Sequence, residues 1–212
     1  MSILNSTKIL LKSSYSTAQA LSLLLAIILF MLSYFLGRDA LFLHLNIDLG
    51  PIADTFFNYF TYLAEGWIWI PYLVFVAILY NKEVAFIMIN FVTSTLLTQL
   101  PKNYIWPNVN RPIASGIPIS KIHTVPGVEL HTYNSFPSGH SATAFTLLLL
   151  TAYLFPNKKV LVLATLYAII CGYSRIYLGQ HFPIDVAGGI IAALLSVAIS
   201  IQLRKKINSQ TI

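Results

Sequence analysis

What most constrains this chain is a succession of apolar stretches, each near the length of a bilayer crossing and almost free of charge. A helix needs about 20 residues to traverse the hydrocarbon core. Six stretches qualify: Ala18–Leu36, Gly66–Tyr80, Val84–Leu100, Ser138–Phe155, Val160–Leu178 and Ile184–Leu203. The second is short, and its upstream boundary can reach toward Phe60. Trp67, Trp69 and Tyr80 at its ends follow the aromatic pattern of membrane interfaces. Only 9% of the 212 residues are charged, against about 25% in a soluble domain. So few charges cannot cover a water-exposed surface, and so apolar a chain is not disordered. The single cysteine, Cys171, excludes an intrachain disulfide framework and a multi-cysteine zinc site. The expected fold is all-α: a polytopic membrane bundle of six helices, forming one domain over residues 1–212, with an interfacial segment after the first helix.

The net charge of +6 could suggest a nucleic-acid partner. The basic residues do not form a stripe, however. They punctuate the apolar runs, where lysine and arginine set membrane orientation. One side receives Lys8, Lys12, Lys82, Lys158, Lys159, Arg204, Lys205 and Lys206. The other receives Arg38, Lys102, Arg111, Lys121 and Arg175, together with Asp39, Asp48, Asp54, Glu65 and Glu129. The excess of cations on the first side predicts that both termini are cytoplasmic. The first apolar run has basic residues ahead of it, as a signal peptide does. It is too long and lacks a small-residue cleavage site, and reads as an anchor. The outer side then holds two long connections, Gly37–Glu65 and Pro101–Pro137. The first is semi-apolar and reads as a helix lying on the membrane surface, with a lid or lateral gate as the sharper alternative.

Three clusters of polar residues fall at helix ends on that outer side. In Phe136-Pro137-Ser138-Gly139-His140, Ser138 reads as a helix N-cap and Gly139 permits close backbone approach. Such a helix start offers free N–H groups to an anion, and His140 sits in the same first turn. In the stretch from Ser174 to Asp185, Gly179 reads as the residue just past the end of the fifth helix, and Pro183 as a first-turn residue of the sixth. The four-residue spacing from His181 to Asp185 lets the carboxylate hold one ring nitrogen and leave the other as a nucleophile. The third cluster, Lys102 to Pro112, supplies Lys102 and Arg111 at the outer end of the third helix. Cations, a helix N-terminus and two histidines suit a phosphate ester.

Together these residues resemble the motifs of the type 2 phosphatidic acid phosphatase (PAP2) superfamily, in its membrane lipid phosphate phosphatase branch. Pro137-Ser138-Gly139-His140 matches the second motif. Ser174, Arg175, His181 and Asp185 match the third in full. The first departs from the family pattern, with two extra residues between Lys102 and Arg111, although Pro112 follows the arginine as it should. The resemblance covers about residues 95–190. It implies His181 as the nucleophile that becomes phosphohistidine, Asp185 as its orienting partner and His140 as general acid. It implies Lys102, Arg111, Arg175, Ser138 and the Gly139 amide as phosphate ligands. No metal and no cofactor is implied, and the sequence carries no His-Glu-x-x-His run.

The expected activity is hydrolysis of a lipid phosphate monoester or diphosphate within the bilayer, at the periplasmic face of a bacterial inner membrane. Undecaprenyl diphosphate and lipid A phosphates lead as substrates, followed by phosphatidylglycerol phosphate and phosphatidate. No nucleic-acid partner is expected, and no motif speaks to oligomeric state. A phosphotransferase on the same scaffold and a non-catalytic lipid transporter or binding protein are the alternatives. His44, His123 and His131 read as loop histidines without a ligand role, Lys121 and Glu129 as solvated charges, and Trp67, Trp69 and Trp106 as interface anchors. Cys171 reads as a core residue.

Overall fold

The computed structural model describes the backbone of residues 2–210 and the side chains of residues 14–206. Lys8 and Lys12, counted above on the inner side, lie outside the described side chains. Among the described residues the chain is all-α, with eight α-helices: α1 Ser2–Phe35, α2 Arg38–Leu45, α3 Pro51–Phe60, α4 Trp69–Leu79, α5 Val84–Leu100, α6 Gly139–Leu154, α7 Lys158–Tyr177 and α8 Pro183–Gln210.

Four helical stretches are long and apolar enough to cross a membrane: Ser14–Phe35, Asn81–Ile105, Lys158–Tyr177 and Pro183–Lys206. A fifth arises if Pro51–Ala64 and Gly66–Leu79, bent by 55° at their junction, form one broken span. The chain is therefore a polytopic membrane protein with four or five helices of spanning length. The fourth expected crossing, Ser138–Phe155, falls on α6, which is apolar but only 16 residues long. The expected run Gly66–Tyr80 is also not one helix. Short 3₁₀ turns at Thr61–Ala64 and Gly66–Ile68 precede α4, so the chain enters it through a bend at Glu65.

Helix α6 is the axis of the bundle. It packs most extensively on α8 and α7, then on α1 and α5. Ala142 and Ala144–Leu150 of α6 are almost all buried. A helix enclosed by others has no polar face to present, which explains why this run is apolar all round. Elsewhere small hydroxyl residues tie helices at membrane depth. Thr93 Oγ1 lies 2.7 Å from Ser196 Oγ, and the Ser196 hydroxyl donates to Asn90 O at 3.2 Å, joining α5 to α8.

The connection between α1 and α4 docks onto the bundle. Phe42 of α2 is fully buried against Phe182, with ring centroids 5.3 Å apart. Asn46 donates to the carbonyls of Ile176, Tyr177 and His123, and accepts from the His123 amide. Phe57 of α3 packs against Tyr173 and Tyr177 of α7. This segment clamps the end of α7, where Arg175 sits.

Candidate active site

The end of α7 forms as its sequence dictates. Gly179 adopts φ 67°, Gln180 N–H donates to Arg175 O at 2.9 Å and Gly179 N–H to Ile176 O at 3.1 Å. These two bonds define a Schellman stop, which needs a left-handed residue at the glycine position. Pro183 then opens α8. The tight turn between them holds His181, which is fully buried. Its Nδ1 lies 3.4 Å from Asp185 Oδ2, within ion-pair distance, and makes no hydrogen bond. Asp185 Oδ2 accepts from the Ser135 hydroxyl at 2.5 Å and from Phe182 N–H at 2.9 Å. The carboxylate is thus fixed behind the ring, and Nε2 of His181 is the nitrogen left to face the cavity.

The N-terminus of α6 is brought alongside by a close crossing. Ser138 caps the helix, its Oγ accepting from Ser141 N–H at 3.3 Å, and Ser138 N–H donates to Asp185 O at 2.9 Å. Gly189 of α8 makes the crossing possible: a Cβ there would meet Ser138 O at 2.5 Å and Ser141 Cβ at 2.9 Å.

These elements surround a cavity of about 510 Å³ whose wall includes Lys102, Arg111, Gly139, His140, Arg175 and His181. Residues from three separate stretches of chain therefore meet, as the sequence predicts. Asp185 stands behind His181. Ser138 is buried, with its hydroxyl engaged by Ser141, and does not line the cavity. Lys102 reaches the cavity despite the longer spacing to Arg111. A π-helical turn at Pro101–Ile105, closed by Trp106 N–H to Pro101 O at 2.8 Å, takes up the extra residues.

Arg111 is held from behind. Its Nε donates to Tyr133 O at 2.9 Å and its Nη1 to the backbone and side-chain oxygens of Gln180. Burial pulls the Arg111 guanidinium below its ordinary range, and the nearby Asp185 partly restores it. Arg175 Nη1 donates to Thr61 Oγ1 at 2.5 Å, while its Nε is buried without a partner. His181 is pushed well below the usual imidazole value, first by burial and then by Arg111, Lys102 and Arg175. It is neutral at physiological pH.

Several residues that hold this site carry no spacing signal. Ser135 and Thr61 each fix one charged group from outside the motifs, and Gln180 fixes Arg111 from the turn beside His181. Glu65, counted only as an outer charge from the sequence, places Oε1 3.9 Å from His140 Nε2. One expectation is corrected, and two loop histidines have neighbours that spacing did not reveal. Trp69 is not an interface anchor: it is buried, packs on Phe91 and lines the cavity. His131 lines the cavity as well. His123 Nε2 lies 3.0 Å from Asp54 Oδ1, and the Tyr177 hydroxyl donates to the same oxygen at 2.6 Å. Asp48, Asp54 and His123 bring one ligand atom each within 4.8 Å of one another, a group that could hold a metal ion away from the phosphate cavity.

A second, apolar cavity of about 480 Å³ lies between α4, α6 and α7. His140 and Thr143 of α6 face the polar cavity, and Leu147 and Thr151 face the apolar one. At helical spacing these four share one face. Leu147 stands about 10 Å along the axis from His140.

Comparison with known proteins decides the family. Residues 84–209 match the PAP2 superfamily. The chain belongs to the PAP2 superfamily, in its membrane lipid-phosphatase branch. It is 34% identical over 163 residues to the lipid A 4′-phosphatase of Porphyromonas gingivalis, covering 73% of this chain and 67% of that protein. It is 35% identical over 74 residues to the undecaprenyl-diphosphatase BcrC of Bacillus subtilis, a match spanning 34% of this chain and 37% of that protein. The crystal structure of Aquifex aeolicus LpxE superposes with a TM-score of 0.65 at 31% identity, covering 76% of this chain and 93% of that one.

Proposed function

We propose that this PAP2 protein hydrolyses a lipid phosphate through a phosphohistidine on His181. The observation that carries the reading is the meeting of a carboxylate-backed, neutral histidine with a second histidine and three cations on one cavity wall. Lys102, Arg111 and Arg175 take the nonbridging oxygens, with the Gly139 amide at the start of α6. Nε2 of His181 attacks phosphorus. His140 gives its proton to the departing oxygen, then takes one from the water that cleaves the phosphohistidine. Ser138 acts by capping α6. The wall offers three cations and three imidazoles against one carboxylate, Glu65, among the described residues, a set that supports anion binding and a reaction without a metal.

The substrate is a lipid whose tail stays in the bilayer. A head held at His140 has an apolar groove below it on the same face of α6, and an acyl or prenyl chain gains nothing by leaving the membrane. With the bent α3–α4 pair and α6 each counted as a crossing, the chain spans six times. The cation distribution supports cytoplasmic termini and a site on the periplasmic face of a bacterial inner membrane. The bacterial relatives support lipid A phosphates and undecaprenyl diphosphate as leading substrates.

The test is phosphate release by detergent-purified protein in excess EDTA, across a panel of lipid phosphates, beside His181→Ala. Release that vanishes in the variant supports the reading. No release from any lipid by folded protein, or transfer of phosphate only to an added alcohol, contradicts it.

A further inference from the structure

Glu65 is the one carboxylate on the wall of the phosphate cavity among the described residues. It occupies extended backbone at the bend between two 3₁₀ turns, so its position is set by the break between α3 and α4. His140 Nε2, 3.9 Å from its Oε1, is buried without a hydrogen-bond partner. Both residues also line a smaller polar cavity of about 340 Å³, together with Asn58 and Tyr62. Lys102 and Arg111 do not extend into it. Its only lysine or arginine among the described residues is Arg175, shared with the phosphate cavity, its histidines are His131 and His140, and its acids are Glu65 and Glu129. Glu129 is exposed and lies 3.9 Å from His131, which leaves Glu65 as the carboxylate that a group departing past His140 meets.

We infer that Glu65 makes this site selective for phosphate monoesters over diphosphates, which favours a lipid A phosphate over undecaprenyl diphosphate among the substrates proposed above. The inference rests on the reading that His181 attacks and His140 protonates the leaving oxygen. As the bond from Nε2 of His181 to phosphorus forms, the bond from phosphorus to the leaving oxygen breaks, and the His140 proton passes to that oxygen. From a monoester the leaving group is a neutral alcohol, able to donate its hydroxyl to Glu65. From a diphosphate the leaving group is itself a phosphate, which carries negative charge to the same carboxylate. The Glu65 side chain is 38% exposed, so solvent screens this repulsion. The discrimination is about tenfold, far below that of a dry pair.

The experiment measures initial rates of phosphate release from one prenyl chain supplied as its monophosphate and as its diphosphate. Wild type, Glu65→Gln and Glu65→Asp are compared by the ratio of kcat/KM values, which does not depend on the fraction of active protein. The expected result is a monophosphate preference of about tenfold in wild type, kept by Glu65→Asp and reduced to near unity by Glu65→Gln through a gain on the diphosphate. A merely structural role would lower both rates together. A wild type that prefers the diphosphate, or a Gln variant with an unchanged ratio, overturns the selectivity and leaves the hydrolase reading intact. Release from neither lipid overturns both.

Discussion

A buried histidine is a nucleophile only while it is neutral, and the surroundings of His181 keep it so. Burial and three nearby cations all disfavour the imidazolium. A lowered pKa means the neutral form persists to lower pH, so the acid limb that His181 imposes on kcat/KM falls below pH ~6.5, the ordinary imidazole value. A pH profile with a substrate of constant charge checks this, and a His181 limb above that value contradicts it. Asp185 fixes the ring, and Asp185→Asn should lower kcat by about 10²–10⁴-fold with a small change in KM, as loss of an orienting carboxylate does in hydrolytic triads. The histidine–aspartate pair was legible in the sequence because its spacing across a Gly-and-Pro turn has one geometric solution. Glu65, Ser135 and Thr61 were not, because each acts alone, from a position that only packing brings to the site, and Gln180, beside His181 in the same turn, had no spacing that marked it as a partner of Arg111.

At the scale of helices, the site depends on how closely α8 crosses the start of α6. Gly189→Ala would drive a methyl group into Ser138 O and Ser141 Cβ. The helix start must then shift, and with it His140 and the Gly139 amide. We expect a drop of several degrees in the melting temperature and a loss of at least about tenfold in kcat, against little effect from alanine at Gly66, where a Cβ meets nothing. The close of α7 and the opening of α8 were readable from Gly179 and Pro183, since local chemistry decides them. The segment from Gly37 to Glu65 was not. Its apolar residues fit a membrane surface as well as a protein surface, and only Asn46, through its contacts with Ile176, Tyr177 and His123, reveals that it docks. Trp69 misled for the same reason: an aromatic at a helix end suits the interface and the cavity wall equally.

For the whole molecule, helix direction and charge lead to one arrangement. The ends of α5 and α7 and the starts of α6 and α8 share one end of the bundle, and Arg204 pairs with Glu83 at 2.6 Å toward the other. Single cysteines at Lys121 and Lys158, in a Cys171→Ser background, test the orientation in intact cells. A membrane-impermeant thiol reagent should label the first and spare the second. The reverse pattern would invert the topology. The central claim is the covalent intermediate. Its most direct measurement is rapid quenching of the enzyme with a lipid carrying radiolabelled phosphate, followed by mapping of the label. The account predicts an acid-labile, alkali-stable label on the peptide bearing His181, absent from His181→Ala. Label that persists in that variant, or hydrolysis at the wild-type rate with no labelled protein at any quench time, would contradict it.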